Sequence, residues 1–270
     1  MLYKYLSSAR IDVLQNLKIR FTQPCELNDP FESALLVQSN AFQDWEAQML
    51  KDAEQLIPET EEEREEIEEV KEELRQNARM MMSPQAIGRE LADRINRAQG
   101  VLSLSRTNDS LLMWAHYGES HKGYMLGLDD SHPWFYEQNG LGKATKPHNV
   151  IYTSRRSAIK AGSEDFYDRL LCFKSLEWAY EEEVRIFRTF GANQERFNQN
   201  NPNDVHLFNI PKECIKEIFI GANAISDSNF VNKIFHEVWR SQLDVKIYVA
   251  YVDEEKYALN FRPIEDHCPT

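Results

Sequence analysis

Glu181, Glu183 and Arg185 are the residues whose types and spacing point most directly to chemistry. They lie in the run Trp178-Ala-Tyr-Glu-Glu-Glu-Val-Arg-Ile-Phe187, whose aromatic and β-branched flanks favour a strand. Alternate residues of a strand share one face, so this strand would line up two carboxylates and a guanidinium. On a helix, Glu181 and Arg185 would instead form an ordinary i,i+4 ion pair, which is the structural alternative. The run therefore predicts either a polar site or an ion-pair network.

Two further segments place polar side chains close together. Asn28, Asp29 and Glu32 flank Pro30 and Phe31, where Asp29 or Glu32 could orient a basic group. The structural alternative is turn chemistry, because Asn and Asp before a proline bond to their own backbone. In the run Ser103-Leu-Ser105, two hydroxyls share one strand face, which is also the pattern of a simple surface alternation.

The segment from Met113 to Gly123 is dense in aromatic and imidazole groups. Trp114, Tyr117 and His121 could form a pocket that stacks on a flat ligand, although core packing is the commoner fate of such a tryptophan. His116 and His121 are five residues apart, which is a poor spacing for one helix face, and no third ligand is indicated. No metal site is predicted here.

Length and charge limit the classes of function. With 270 residues, of which 42% are hydrophobic, the chain can bury a full core. The net charge of −13 argues against a broad electrostatic footprint on nucleic acid or an anionic membrane. Ten of the 44 acidic residues lie between positions 59 and 73, and the segment 59–76 has the pattern of a solvated helix.

Several motifs of common enzymes and of exported proteins are absent from the sequence. There is no G-x-x-x-x-G-K or G-x-G-x-x-G phosphate loop and no G-x-S-x-G nucleophile turn. The four cysteines form no C-x-x-C pair and, with no signal peptide ahead of them, predict reduced thiols in a cytoplasmic protein. No stretch approaches 18 consecutive apolar residues, so a membrane-spanning protein is not expected.

The predicted elements mix strands and helices without regular alternation, which favours an α+β fold with a mixed or antiparallel split sheet and flanking helices. Residues 1–270 are predicted to form a single domain with a helical insertion or lid at about 41–99, in which Pro84 opens a helix. Strands are predicted at 2–5, 18–22, 101–105, 123–128, 150–152, 178–187, 215–220 and 245–252. Helices are predicted up to Asn16 and at 110–116, 166–176 and 226–243, and a polar loop at 193–203.

The order of these motifs resembles a bacterial family called domain of unknown function 2971. The resemblance runs from residue 3 to about residue 190, and it implies no particular activity. It is carried by Tyr3-Lys-Tyr5, Asn28-Asp-Pro-Phe-Glu32, Ser103-Leu-Ser105, Met113-Trp-Ala-His-Tyr117, His121-Lys-Gly-Tyr124 and Trp178 to Arg185.

A weaker resemblance is to the ADP-ribosyltransferase superfamily, which has a split α+β core. Its enzymes show a basic residue on the first strand, a Ser-x-Ser strand and a late Glu-x-Glu. Here, Lys4 or Arg20 would be the basic residue. The other positions would be Ser103 with Ser105 and Glu181 with Glu183.

This second resemblance implies that NAD is the substrate, in an enzyme of bacterial stress or phage defence. Glu183 would stabilise the oxocarbenium-like ribose, and Glu181 would orient or activate a protein or nucleic-acid acceptor. The remaining residues implied in nucleotide binding are Lys4, Ser103, Ser105, Trp114, Tyr117, His121 and Arg185, with Trp114 or Tyr117 stacking on nicotinamide.

Two other classes of function remain open. In a Mg²⁺-dependent nuclease or phosphoesterase, the side chains of Asp29, Glu32, Glu181, Glu183 and Lys174 would converge on the metal and on substrate phosphates. In a non-catalytic interaction protein, the segment 41–99 would carry the partner surface. The carboxylates would then only form salt bridges with Arg185.

Overall fold

The computed structural model describes residues 1–32, 64–65, 68, 71–72, 84–137, 145–156, 171–190, 195–197 and 205–264. The helices with full bounds in these ranges are α1 (Asp12–Asn16), α2 (Pro84–Ala98), α3 (Leu111–His116) and α4 (Ser228–Arg240). The strands are β1 (Leu2–Leu6), β2 (Lys18–Phe21), β3 (Gln99–Ser105), β4 (Tyr124–Leu128), β5 (His148–Asn149), β6 (Ile151–Thr153), β7 (Phe173–Ser175), β8 (Glu183–Thr189), β9 (Glu195–Phe197), β10 (Val205–Asn209), β11 (Ile215–Ile220), β12 (Lys246–Val252) and β13 (Leu259–Pro263). Short 3-10 helices span Ser8–Ile11, Pro24–Glu26, Pro133–Tyr136, Leu176–Glu181 and Lys212–Cys214.

The chain divides into two compact units. The first unit comprises Met1–Gln23, Ala98–Tyr152 and Ser175–Thr270, and the second comprises Pro24–Arg97 and Thr153–Lys174. Most of the predicted insertion at 41–99 lies outside the described residues. A single domain with an insertion stays a prediction.

An eight-stranded sheet forms the centre of the first unit, in the order β13-β12-β11-β4-β1-β3-β8-β5. The β11–β12 pair is parallel and the other pairs are antiparallel, which confirms the predicted α+β class with a mixed sheet. β1 pairs with β4 over five residues, but with β3 only through Tyr3 and Ser105. The sheet is therefore narrowest at the β1–β3 junction. Smaller sheets have the orders β2-β10-β9 and β6-β7.

The two faces of the large sheet carry different side chains because alternate residues of each strand point to opposite faces. One face contributes Leu2 and Leu6 of β1 and Val184 of β8 to a large apolar core that includes residues of α1 and α4. The other face carries a smaller, aromatic cluster of buried residues: Tyr5, Met113, Trp114, Met125, Phe219 and Leu259. The candidate site residues of β3 and β8 alternate with the residues of the larger core.

Helix boundaries agree with local capping chemistry. α1 ends at Asn16 because Leu17 adopts a left-handed conformation, with φ of 50°. The Ser110 hydroxyl accepts from the backbone N–H of Met113 at the start of α3, and the Asp227 side chain accepts from Phe230 at the start of α4.

Three predicted elements are wrong in part. The strand predicted over 178–187 begins only at Glu183, because Leu176–Glu181 is a 3-10 helix and Glu182 has a φ of 43°. Residues 173–175 of the predicted helix 166–176 form strand β7, and 157–170 lie outside the described residues. The predicted loop 193–203 contains β9, whereas its other residues lie outside the described part.

Candidate active site

Strand pairing brings the predicted serine and glutamate strands together. β3 and β8 are antiparallel neighbours in which Ser103 is opposite Arg185 and Ser105 is opposite Glu183. Opposite residues of an antiparallel pair have their Cβ atoms about 5 Å apart on the same face. Residues more than 75 positions apart in the sequence thus form one polar patch, which also includes Tyr117 and Glu181.

Glu183 and Arg185 form a buried, bidentate ion pair. Arg185 Nε donates to Glu183 Oε1 at 2.7 Å, and Arg185 Nη2 donates to Glu183 Oε2 at 2.9 Å. The arginine is 1% exposed and the glutamate 5% exposed. Because both charged groups are buried, each has lost its hydration. The two parallel charge-assisted hydrogen bonds offset part of that free-energy cost. The predicted shared strand face of these two residues is therefore confirmed.

Glu181 reaches the same patch from a different element. It ends the 3-10 helix Leu176–Glu181, so the prediction that it shares a strand face with Glu183 and Arg185 is wrong. Tyr117 Oη donates to Glu181 Oε1 at 2.6 Å, and Ser105 Oγ donates to the Glu181 carbonyl oxygen at 2.6 Å. Glu182, which separates the two glutamates, has a left-handed φ of 43°, and the side chains of both glutamates are buried.

The predicted basic residue of the first strand, Lys4, lies at the narrow β1–β3 junction. Its Nζ donates to the carbonyl oxygen of Ser103 at 2.9 Å. Burial lowers the pKa of Lys4 to about 8, and two nearby arginines act in the same direction, whereas the carboxylates of Glu183 and Glu181 oppose them. The pKa of Lys4 therefore depends on whether Glu183 and Glu181 are ionised.

Trp114 does not have the position that ligand stacking requires. Its side chain is fully buried, and its Nε1 donates to the Asn108 carbonyl oxygen at 2.9 Å. Trp114 packs edge-on against Tyr5 and parallel to His121. The prediction that Trp114 stacks on a ligand is wrong for this reason, because the ring belongs to the aromatic core cluster. Tyr117 and His121 remain partly exposed.

Tyr152 is a member of the patch that the sequence did not indicate. The backbone N–H of Glu183 donates to Tyr152 Oη at 2.7 Å. Burial, with the charges of Glu183 and Glu181, raises the pKa of Tyr152, so its hydroxyl stays protonated at neutral pH. The only hint in the sequence is the strand-like run Val150-Ile-Tyr152. Tyr152 lies in β6, just after β5, and its contact with Glu183 cannot be inferred from the sequence because the pairing of β5 with β8 is not evident there.

The remaining candidate residues lie in the second unit, where they form a cluster of their own. Lys174 Nζ is 3.4 Å from Glu32 Oε1, and both side chains are buried. Asp29 is 3% exposed and Asn28 is exposed. Asp29 Oδ1 accepts from the backbone N–H of Phe31 at 2.9 Å, which is the turn chemistry that the Asn-Asp-Pro sequence indicates.

The described ranges contain neither a metal-binding cluster nor a membrane-spanning helix. No group of three or more His, Cys, Asp or Glu side chains there is arranged to hold a metal ion. None of the described helices is both long enough and apolar enough to cross a bilayer.

Comparison with curated proteins and with solved structures finds no match to this chain. A family model covers part of the chain and includes Tyr117, Glu181, Glu183 and Arg185, whereas Lys4 and the two serines lie outside it. Residues 113–186 are similar to the family described as Protein of unknown function (DUF2971).

Proposed function

We propose that this chain is an NAD-consuming enzyme of the ADP-ribosyltransferase type, with NAD as its substrate. The observation that carries the proposal is the buried Glu183–Arg185 pair, with Glu181 beside it, on the strand next to Ser103 and Ser105. Buried charges whose neighbours fix their geometry occur preferentially at functional sites. The three-part resemblance noted in the sequence supplies the reaction class as an analogy.

The reaction needs a carboxylate at the point where positive charge develops. When the bond between nicotinamide N1 and ribose C1′ breaks, its electron pair leaves with nicotinamide and the ribose becomes oxocarbenium-like. An ionised Glu183 would stabilise that charge, and the Arg185 fork favours the ionised form. The attacking oxygen of water or of an acceptor then bonds to C1′ and gives its proton to Glu181.

Tyr117 has a positioning role in this proposal. Its hydroxyl holds one oxygen of the Glu181 carboxylate, which limits the rotamers of that side chain. Tyr152 similarly fixes the backbone of Glu183. Both contacts favour a pre-organised arrangement of the two carboxylates.

The first test is nicotinamide release from NAD by wild type and by Glu183→Gln. We expect wild type to release nicotinamide, and Glu183→Gln to do so at least about 100-fold more slowly because its amide carries no negative charge. A thermal shift with NAD should remain in the variant, since binding uses other groups as well.

Glu237→Gln is the matched control. Glu237 is also buried and also contacts an arginine, with Arg240 Nε at 2.6 Å from Glu237 Oε2. The control variant should keep wild-type turnover and lose less stability than Glu183→Gln, because Arg240 keeps 46% of its side chain exposed. Equal turnover by Glu183→Gln and wild type would contradict the proposal, and Mg²⁺-dependent cleavage of RNA without nicotinamide release would favour the phosphoesterase alternative.

A further inference from the structure

A groove of about 570 Å³ lies beside the β12–β13 hairpin in the first unit. It is lined by Leu111, His121, Ala222, Asn223 and the hairpin residues Val252 to Leu259. None of the residues assigned a catalytic role above contributes to this lining. The groove is therefore separate from the proposed catalytic residues, although its lining includes His121, which the weaker resemblance implies in nucleotide binding.

Asp253 builds the hairpin turn at one side of the groove. Its Oδ1 accepts from the backbone N–H groups of Glu255 and Lys256 at 2.9 and 2.8 Å, and its Oδ2 accepts from Asn260 Nδ2 at 2.7 Å. These bonds lower the pKa of Asp253 and engage its carboxylate within the turn. The side chains of Glu254 and Glu255 are left exposed at the rim.

The rim combines exposed apolar groups with negative charge. Val252 is 67% exposed, Leu111 38% exposed and Tyr257 fully exposed, although each lines the groove. Glu254 and Glu255 outnumber the single lysine of the lining, Lys256. Exposed apolar side chains grouped around a groove commonly mark an interaction site, and the charge selects a basic partner.

The backbone at the other side of the groove is held in one conformation. Glu119, Ser120 and His121 all have positive φ angles, of 53°, 53° and 67°. The Asn223 backbone N–H and side chain bond to the carbonyl oxygens of His121 and Ser120. Left-handed residues cost free energy and persist where neighbouring contacts hold them. Burial lowers the pKa of His121, so the imidazole presents no positive charge against a basic ligand at neutral pH.

We infer that this groove binds a protein segment that carries both basic and apolar side chains. The carboxylates of Glu254 and Glu255 would pair with the basic side chains, while Val252, Leu111 and Tyr257 would contact the apolar ones. A preformed groove requires little ordering on binding, which favours recognition of a short peptide. Peptide binding at this groove requires none of the residues to which the proposed function gives a catalytic role.

The probe is a fluorescein-labelled peptide, Gly-Ser-Leu-Arg-Leu-Arg-Leu-Ser-Gly, whose binding is measured by fluorescence anisotropy at about 0.15 M salt. Glu254→Gln with Glu255→Gln should weaken binding about fivefold, because each exposed ion pair contributes little. Val252→Ser with Tyr257→Ser should weaken it about tenfold through loss of apolar contact. A peptide with serine in place of each leucine should also bind about tenfold more weakly to wild type, because the same apolar contacts are lost.

Matched controls separate groove binding from attraction by the net charge. Glu213→Gln with Asp244→Asn removes the same charge from other exposed positions, and Ile151→Ser with Trp239→Ser removes exposed apolar side chains elsewhere. Both controls should change affinity less than about twofold. Equal weakening by a groove variant and its control would overturn the inference, as would no binding at about 1 mM protein.

Discussion

Glu183 and Glu237 are both buried glutamates that contact an arginine, yet their surroundings differ. Arg240, the partner of Glu237, keeps 46% of its side chain exposed, whereas Arg185 is 1% exposed. A fully buried ion pair often contributes little net stability, because desolvation of both charges opposes their attraction. The Glu183–Arg185 pair is therefore poorly explained by stability alone, which is why we assign it a chemical role.

Lys4 should make stability depend on pH in alkaline solution. Its pKa is about 8 in the folded protein and 10.5 as the reference value for the unfolded chain. Between these values the unfolded chain binds more protons, so the free energy of unfolding rises with pH. Below about pH 7 Lys4 is protonated in both states, and its contribution to the free energy of unfolding is constant.

The measurement is urea unfolding of wild type and Lys4→Met at several pH values. The wild type should gain about 2 kcal/mol relative to the variant between roughly pH 8 and pH 10, and almost nothing below about pH 7. The contributions of other titrating groups to the free energy of unfolding are the same in both proteins and cancel in the difference. Parallel stability curves across that range would show that Lys4 is not desolvated in the folded protein.

At the scale of elements, Gly221 follows β11 and packs closely against the backbone of the turn that carries His121. A Cβ atom at this position would lie 2.3 Å from the His121 carbonyl oxygen and 2.9 Å from the Gly123 carbonyl oxygen. Both contacts involve backbone, which cannot rotate away. We expect Gly221→Ala to lower the free energy of unfolding by about 3 kcal/mol and to weaken binding of the groove peptide.

Asn223→Ala is the comparison for this substitution. It removes one side-chain hydrogen bond to the same turn, from Asn223 Nδ2 to the Ser120 carbonyl oxygen, and should cost about 1 kcal/mol by urea unfolding. Equal losses for the two variants would show that the backbone contact at Gly221 is easily relieved.

The sequence predicts elements with clear periodicity and caps, but it predicts poorly those that depend on partners. α4 and β12 follow from apolar spacing and from Asp227, and they agree with the structure within a few residues. β10 and β13 were not predicted, since their pairing with β2 and β12 decides their conformation.

In the candidate site too, features set by neighbouring residues can be predicted, whereas features set by residues distant in the sequence cannot. The Glu183–Arg185 face follows from alternation within one strand. The position of Glu181 depends on the left-handed Glu182, and glutamate is not a residue whose type indicates that conformation. The Tyr152 contact depends on sheet pairing, which the local pattern does not contain.

At the scale of the whole molecule, the net charge of −13 sets an expectation for nucleic acid. Phosphate contacts supply most non-specific affinity, so a strongly acidic protein should bind duplex DNA only weakly. We expect a dissociation constant above about 0.1 mM for a fluorescent duplex at about 0.15 M salt, with little change on further addition of salt. Micromolar, salt-sensitive binding would reveal a local basic surface and would favour the phosphoesterase alternative.

The narrow β1–β3 junction has a consequence for how the large sheet forms. Five strands lie on one side of the junction and three on the other. Each set can complete its own ladder of hydrogen bonds, because a single residue pair in register joins β1 to β3. Since both sets contribute side chains to the one large apolar core, their association depends on side-chain packing across the junction more than on backbone hydrogen bonds.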